Sequence, residues 1–253
     1  MIGIYDLNTC TKLSYKDRLQ IYKDAGFKEV ALYIDNDYNK PNESYKDIIN
    51  FARQIGLEVK QCHIDYKISN LLCDKTTNQY FDYLTAKLTE AESLGIQYVV
   101  AHASMSNNPP EVSDEQLEKF KLTITSARLH KTTLCIENVR NNHNLDKILS
   151  LNLQNVGICY DVGHAHAYGN ENALLQKYFN KILCSHLHNN FGQDTHHTLN
   201  NGEIDYKAII TKLIKIPNAS HCLECFPSMD SNLSRDEFVK FVQHCYSTIR
   251  EFE

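Results

Sequence analysis

Residues 155–206 hold a high concentration of side chains that bind metal ions. Six of the twelve histidines fall in this stretch, together with two aspartates: His164, His166, His186, His188, His196, His197, Asp161 and Asp194. A single buried histidine is most often a hydrogen-bonded core residue, and that interpretation fits any one of them taken alone. Imidazole and carboxylate groups at this density instead predict a site for Zn²⁺, Mn²⁺ or Fe²⁺.

Several of these side chains stand at the ends of short apolar runs. Residues 156–160 (VGICY) stop at Asp161, and residues 182–187 carry His186 near their end. A buried strand holds its backbone rigidly, so ligands at its end project into a cavity from fixed positions. The same arrangement recurs at His63, His102, Glu137 and Glu224. The pattern predicts metal ligands at the ends of several strands.

Apolar, β-branched runs alternate with longer amphipathic segments along the chain. The runs predict strands at residues 2–5, 30–34, 57–64, 97–101, 133–136, 156–160, 182–187 and 221–225. The segments predict helices at residues 14–25, 44–55, 77–94, 113–130, 145–151, 172–179, 205–214 and 234–250. Ser113 and Gln116 have the spacing of a capping box at the start of the fourth helix.

Eight strand–helix units at intervals of about thirty residues predict a closed (β/α)₈ TIM barrel. Strands separated by helices are parallel and joined by right-handed crossovers. No linker or low-complexity segment interrupts residues 1–253, so we expect a single domain. An open, doubly wound sheet is the alternative, but it normally needs a glycine-rich first turn, and residues 5–8 (YDLN) do not form one.

The composition restricts the classes of partner and compartment. The formal net charge is −5, which argues against a large anionic partner such as nucleic acid. The nine cysteines are odd in number and form no C-x-x-C pair, so we expect reduced thiols in a cytoplasmic protein. No apolar stretch approaches eighteen residues, and the first residues are strand-like, so we expect neither a membrane span nor a signal peptide.

The motifs resemble those of the xylose-isomerase-like TIM barrel superfamily, which holds sugar isomerases and epimerases together with endonuclease IV. DVGH at positions 161–164 is similar to the superfamily's D-x-x-H after strand six. DTH at 194–196, followed by NGEID at 201–205, is similar to its D-x-H and G-x-G-x-I-D. Its strand-seven histidine falls on His186, although Asn189 stands where the superfamily has an aspartate.

The resemblance implies a set of metal ligands. Glu137, Asp161, His186 and Glu224 would hold a central divalent ion, either Zn²⁺ or Mn²⁺. A cluster of up to three ions would be completed by two further sets: His63 with His102, and His164 with Asp194 and His196. The departure at Asn189 leaves open whether His186 or His188 is the strand-seven ligand, because strand alternation places both on one face.

The resemblance also implies an enzyme that isomerises or epimerises a small carbohydrate, either a sugar or a sugar phosphate. Glu137 and Glu224 would move protons on opposite faces of the substrate, and His164 would orient a hydroxyl. The metal would stabilise the enediolate. Aromatic side chains that could wall the sugar are Tyr5, Tyr66 and Phe226. Homodimers are expected only by analogy with other barrels.

The alternative function is that of an endonuclease IV-like zinc phosphodiesterase acting on abasic DNA, since that enzyme uses the full nine-residue set. The loops at the predicted mouth argue against it. They contain few cations that could neutralise phosphates: Lys12, Lys40, Lys67, Arg140 and Arg235. A metal-dependent lyase or dehydratase and a barrel that binds sugar without turnover are the remaining alternatives.

Overall fold

Eight parallel strands pair in chain order and close into a barrel, which confirms the predicted (β/α)₈ fold. The computed structural model describes residues 2–34, 43–228 and 231–252, so Lys40 lies outside the described residues. The strands are β1 (Ile2–Tyr5), β2 (Val30–Ile34), β3 (Gln61–Ile64), β4 (Tyr98–His102), β5 (Thr133–Glu137), β6 (Val156–Asp161), β7 (Ile182–Leu187) and β8 (Ser220–Leu223). The pairing of β1 with β8 excludes the open sheet.

Helices cover the outside of the barrel. They are α1 (Tyr15–Ala25), α2 (Tyr45–Gln54), α3 (Gln79–Leu94), α4 (Asp114–Ser126), α5 (His143–Ser150), α6 (Val162–Ala167), α7 (Glu171–Tyr178), α8 (Tyr206–Leu213) and α9 (Arg235–Arg250). The sequence did not predict α6, which begins directly at the end of β6. Its start is fixed because the Asp161 carboxylate accepts a hydrogen bond from the His164 backbone N–H.

The capping box predicted at the start of α4 is only half formed. The Ser113 hydroxyl accepts a hydrogen bond from the Gln116 backbone N–H, as expected. The Gln116 amide, however, donates to the carbonyls of Leu72 and Asp74, both at 3.0 Å. The side chain is buried there because it satisfies a neighbouring loop instead of its own helix end.

Two strand predictions were too long or displaced. β3 begins at Gln61 instead of residue 57, because the preceding stretch makes only an isolated bridge between Glu58 and Glu29. β8 ends at Leu223, one residue before Glu224. The Glu224 backbone N–H still donates to the Leu187 carbonyl at 3.0 Å, so the side chain at this position keeps a fixed direction.

The barrel interior is lined with small and apolar side chains below its C-terminal end. Cys135, Cys159 and Cys184 pack there with Tyr98 and Val100. Each of these cysteines precedes a predicted metal ligand by two positions, so strand alternation turns cysteine and ligand to the same interior face. All nine cysteines are unpaired thiols. No helix in the described ranges combines the length and apolarity that a membrane crossing requires.

Candidate metal centre

All nine residues that the sequence singled out lie at the C-terminal end of the barrel. Six stand at or next to the ends of strands: His63, His102, Glu137, Asp161, His186 and Glu224. His164 lies on α6, and Asp194 and His196 lie on the loop between β7 and α8. Their donor atoms form three adjoining groups: two of them share Glu137, and the third meets the central one at Asp161. His166 and His197 lie outside these groups.

The central group consists of Glu137, Asp161, His186 and Glu224, whose donor atoms all lie within 4.8 Å of one another. The Nδ1 atom of His186 is 3.1 Å from Glu224 Oε2, 3.3 Å from Glu137 Oε1 and 3.8 Å from Asp161 Oδ2. Asp161 Oδ2 and His186 Nδ1 are buried without a hydrogen-bond partner among the described residues, so both atoms could bind a cation once His186 is neutral.

A second group joins His63 and His102 to Glu137. The two Nε2 atoms are 3.1 Å apart, and each lies 3.0 Å from Glu137 Oε2. His63 is oriented by its own strand, since its Nδ1 atom lies 2.6 Å from the Ile64 carbonyl. Two imidazoles and one carboxylate oxygen facing a common point are a donor set that suits Zn²⁺.

A third group contains His164, Asp194 and His196 together with His188. Asp194 lies between two imidazoles, 3.4 Å from His164 Nε2 and 3.1 Å from His196 Nε2. The rings of His188 and His196 are stacked with centroids 3.7 Å apart. His188 Nε2 also lies 3.2 Å from Asp161 Oδ1. The two strand-seven histidines therefore fall into different groups, His186 in the central one and His188 in the third.

The carboxylates of the centre stay ionised because imidazoles surround them. Burial raises the pKa of Glu137 and of Glu224, but the charges and hydrogen bonds of the surrounding histidines, His186 foremost, together outweigh burial and hold both pKa values well below their usual range. Burial also raises the pKa of Asp194, whereas hydrogen bonds from His164 and His196 lower it further than burial raises it. A divalent metal ion would supply this positive charge in place of the imidazoles, and the donor set of imidazoles and carboxylates fits one.

Two residues that sequence reasoning left without a role support the centre. The Asn138 side chain is paired with the backbone of Asp161, donating to its carbonyl and accepting from its N–H, both at 2.8 Å. The Tyr33 hydroxyl donates to Glu224 Oε1 at 2.5 Å. The sequence offered a weak signal for each, because Asn138 follows Glu137 directly and Tyr33 lies near the end of a predicted strand.

The departure from the superfamily pattern at Asn189 has a structural explanation. Its side chain accepts hydrogen bonds from the backbone N–H groups of Asn190 and Ile204 and donates to the Leu199 carbonyl. A Cβ atom at Gly202 would lie only 2.1 Å from Asn189 Oδ1, so the glycine allows this close approach. Asn189 therefore holds the loop that carries Asp194 and His196.

The groups open into a cavity of about 200 Å³. Its wall includes side chains from all three groups and an aromatic and apolar rim: Tyr33, Tyr66, Met105 and Phe226. The expectation that Tyr5 walls the cavity was wrong. Tyr5 is fully buried beneath His186, with its hydroxyl 2.9 Å from His186 Nε2, and Tyr33 occupies the rim instead.

The fold and the geometry of the site together define a class of protein. Its members are closed (β/α)₈ barrels with a centre of histidines and carboxylates at the C-terminal mouth. The sequence profile of the xylose isomerase-like TIM barrel family matches residues 19–238. The chain belongs to this family, as its motifs had indicated.

Solved structures share the fold at low sequence identity. L-ribulose 3-epimerase superposes with a TM-score of 0.77 at 17% identity, covering 99% of this chain and 93% of that one. D-psicose 3-epimerase with D-tagatose, from Clostridium cellulolyticum H10, superposes with a TM-score of 0.73 at 13% identity, covering 99% and 97%. At this identity the likeness shows the fold alone.

A curated relative matches part of the sequence. The structural maintenance of chromosomes protein 3 homolog of Plasmodium falciparum (isolate 3D7) is 30% identical over 132 residues, which are 51% of this chain. The chain spans only 11% of the length of that protein, so the match carries no argument about the metal centre.

Proposed function

We propose that the protein is a divalent-metal-dependent isomerase or epimerase of a small carbohydrate. The observation that carries the proposal is the position of Glu137 and Glu224. Both are buried, and they lie 3.3 and 3.1 Å from the same His186 nitrogen at the base of the cavity. Two carboxyl groups beside one cation position can act as the base that removes a proton next to a carbonyl and the acid that returns one. The activities of the epimerases with this fold support it.

The roles of the side chains follow from their contacts. When bound, a divalent cation supplies Lewis-acid stabilisation of the charge that develops on the substrate oxygens. One ionised glutamate takes the proton from the carbon next to the carbonyl. The other glutamate, protonated at that stage, gives its proton to the opposite face and becomes ionised, which inverts that carbon. Proton exchange with solvent then restores both side chains. The Tyr33 hydroxyl holds the Glu224 carboxylate in place. His164, which lines the cavity, orients a substrate hydroxyl.

The cavity also supports a small substrate. Its volume of about 200 Å³ accommodates one monosaccharide, and Tyr66 and Phe226 provide apolar faces against which a sugar ring or chain can pack. We further propose a cytoplasmic location, because eight of the nine unpaired cysteines are buried in the fold as thiols.

Deuterium exchange tests the proposal. Protein stripped of metal and reconstituted with Mn²⁺ or Zn²⁺ is incubated in D₂O with a panel of ketoses and ketose phosphates. We expect deuterium next to the carbonyl of at least one sugar. Glu137→Gln and Glu224→Gln should each lower the exchange rate by about 10²–10⁴-fold while metal stays bound. The matched control is Glu203→Gln, at an exposed glutamate paired with His166 outside the three groups. Exchange that survives both glutamine variants would contradict the proposed roles.

The second candidate is a zinc phosphodiesterase acting on abasic DNA. It is favoured by the three adjoining ligand groups, which could hold three ions. Two of the cations at the barrel mouth already have partners within the protein, which argues against their binding DNA phosphates. Arg140 donates hydrogen bonds to Tyr168 and Asn107. Arg235 forms an ion pair with Asp17 at 2.7 Å. Metal-dependent nicking of a duplex with one abasic site, lost in His196→Ala, would establish this function in place of the first.

A further inference from the structure

A chain of hydrogen bonds runs through the barrel core from the metal centre to its opposite end. His186 Nε2 lies 2.9 Å from the Tyr5 hydroxyl, which donates to Gln61 Oε1 at 3.2 Å. The Gln61 amide donates to the Ser220 hydroxyl at 2.9 Å. Ser220 in turn donates to the Glu29 carboxylate, and Lys60 pairs with that carboxylate at 3.2 Å. Three strand-borne side chains, Tyr5, Gln61 and Ser220, thus connect His186 to the ion pair of Glu29 and Lys60.

Water does not compete for these contacts. Tyr5, Gln61 and Ser220 are fully buried, and Glu29 is 2% exposed. Close packing also holds Glu29, the last residue of this hydrogen-bond network, in place. The backbone of Gly3 approaches it so closely that a Cβ atom at Gly3 would lie 2.8 Å from the Glu29 carbonyl oxygen. Each buried polar atom here can be satisfied only by its neighbour in the network. Donors and acceptors must therefore alternate in one order along the network.

The order of donors and acceptors can be worked out by starting from Glu29. An ionised carboxylate only accepts, so the single hydroxyl proton of Ser220 points to Glu29. Ser220 can then only accept from Gln61, which turns the NH₂ of this amide to Ser220 and its oxygen to Tyr5. Tyr5 gives its one proton to that oxygen, and it must accept from His186. The proton of neutral His186 is therefore on Nε2.

We propose that Glu29, Ser220, Gln61 and Tyr5 are positioning residues that fix His186 as the Nε2–H tautomer. The lone pair of Nδ1 then faces Glu137, Asp161 and Glu224, as a metal ligand must. The negative charge of Glu29 acts on the metal centre from four hydrogen bonds away. This inference rests on the proposed function only through His186 as a ligand, and the tautomer can be measured without any substrate.

Long-range ¹H–¹⁵N NMR of the metal-free protein at a pH where His186 is neutral tests the assignment. The wild type should show His186 protonated on Nε2, whereas Tyr5→Phe, Ser220→Ala and Glu29→Gln should each populate the Nδ1–H form. The matched control is Tyr206→Phe, which removes an equally buried hydroxyl that donates to the His188 carbonyl instead of a ring nitrogen. It should leave the His186 tautomer unchanged.

Metal titration provides the second measurement. Tyr5→Phe and Glu29→Gln should weaken Mn²⁺ and Zn²⁺ affinity by about 10–100-fold, as removal of outer hydrogen bonds to a ligand does, and Tyr206→Phe should not. A wild-type His186 with its proton on Nδ1, or folded Tyr5→Phe and Ser220→Ala proteins with wild-type tautomer and affinity, would overturn the inference. Expected tautomer shifts in a protein that turns over no sugar would refute the proposed function alone.

Discussion

At the residue scale, the position of a histidine decides which group it joins. His186 and His188 are two positions apart, and both are fully buried. β7 ends at Leu187, between them, and the two rings lie near opposite oxygens of Asp161. His186 faces the two glutamates, whereas His188 stacks on His196. The two residues are both histidines, and strand alternation places them on the same face. Only their contacts with neighbouring side chains therefore separate their roles.

This separation predicts different losses of metal. His186→Ala should abolish binding at the central group, because it removes the nitrogen shared by both glutamates. His188→Ala should leave the central ion and lower the maximal Zn²⁺ content by about one ion per chain. Metal content after dialysis against limiting free Zn²⁺ measures both. Equal losses in the two variants would show that the groups do not act as separate sites.

His221 predicts a pH dependence of stability that is unrelated to the metal. Its Nδ1 atom is 2.8 Å from the Ser185 hydroxyl, and burial lowers the pKa of the imidazole to about 4. The unfolded chain, with a histidine pKa of about 6.5, takes up the proton first as the pH falls. Stability is therefore lost between about pH 6.5 and 4, and His221 alone should remove about 2 kcal/mol at pH 5.

Urea unfolding of metal-free protein at pH 7 and pH 5 measures this contribution. The variant His221→Asn lacks the titrating group, so its stability should fall by about 2 kcal/mol less than that of the wild type over this range. His244→Asn, at a histidine on α9, serves as the control. Equal losses in wild type and His221→Asn would contradict the assignment.

At the element scale, the turn from β6 into α6 brings two ligand groups together. Asp161 contributes to the central group and caps α6, so His164 enters the third group one turn later. The helix lies close to β7, because a Cβ atom at Gly163 would be 2.1 Å from the His188 ring. The glycine in DVGH is thus required by packing against His188, the residue that directly follows β7.

This packing predicts the effect of Gly163→Ala. The methyl group should displace His188 or α6 and lower the free energy of unfolding by about 1–3 kcal/mol, with weaker binding of metal to the third group. Denaturant unfolding and Zn²⁺ titration are the measurements. Gly169→Ala is the comparison, since its Cβ atom meets nothing within 4 Å and only its positive φ of 68° adds strain. A Gly163→Ala protein with wild-type metal binding would contradict the packing argument.

At the scale of the whole molecule, closure of the barrel makes the metal centre. The ligands of the central group and of the group around His63 come from the ends of β3 through β7 and from the residue after β8, so these two groups are assembled only by the complete barrel, whereas the third group lies within residues 164–196. The strands pair in chain order, and β1 joins β8 only when the barrel is complete. Metal binding and folding are therefore coupled, because the unfolded chain does not present the same donor set.

This coupling predicts that metal stabilises the entire protein. We propose that residues 1–253 form one domain, which should unfold in a single transition. At a free metal concentration of about 100 times Kd, binding should add about 2.7 kcal/mol and raise Tm by about 5–10 °C. Calorimetry with Zn²⁺ and with a chelator measures the shift, and His186→Ala should lose most of it. Two separate transitions in the wild type would contradict the single domain.

The sequence by itself determined the barrel and the nine residues at its mouth. Eight apolar runs with helical spacers specify parallel strands, and parallel strands bring their C-terminal ends to one face, so His63 and Glu224 could be placed together despite their separation. Boundaries such as the start of β3 were less certain because pairing, not local pattern, sets them.

Only the tertiary structure decided how those residues are grouped. It separated His186 from His188, replaced Tyr5 by Tyr33 at the cavity rim, and joined Tyr5 to Glu29 through the core. These contacts join side chains from different strands, and their distances depend on barrel closure and on packing at Gly163 and Gly3. A linear pattern specifies which face a side chain occupies, but not the neighbour from another strand that it meets there.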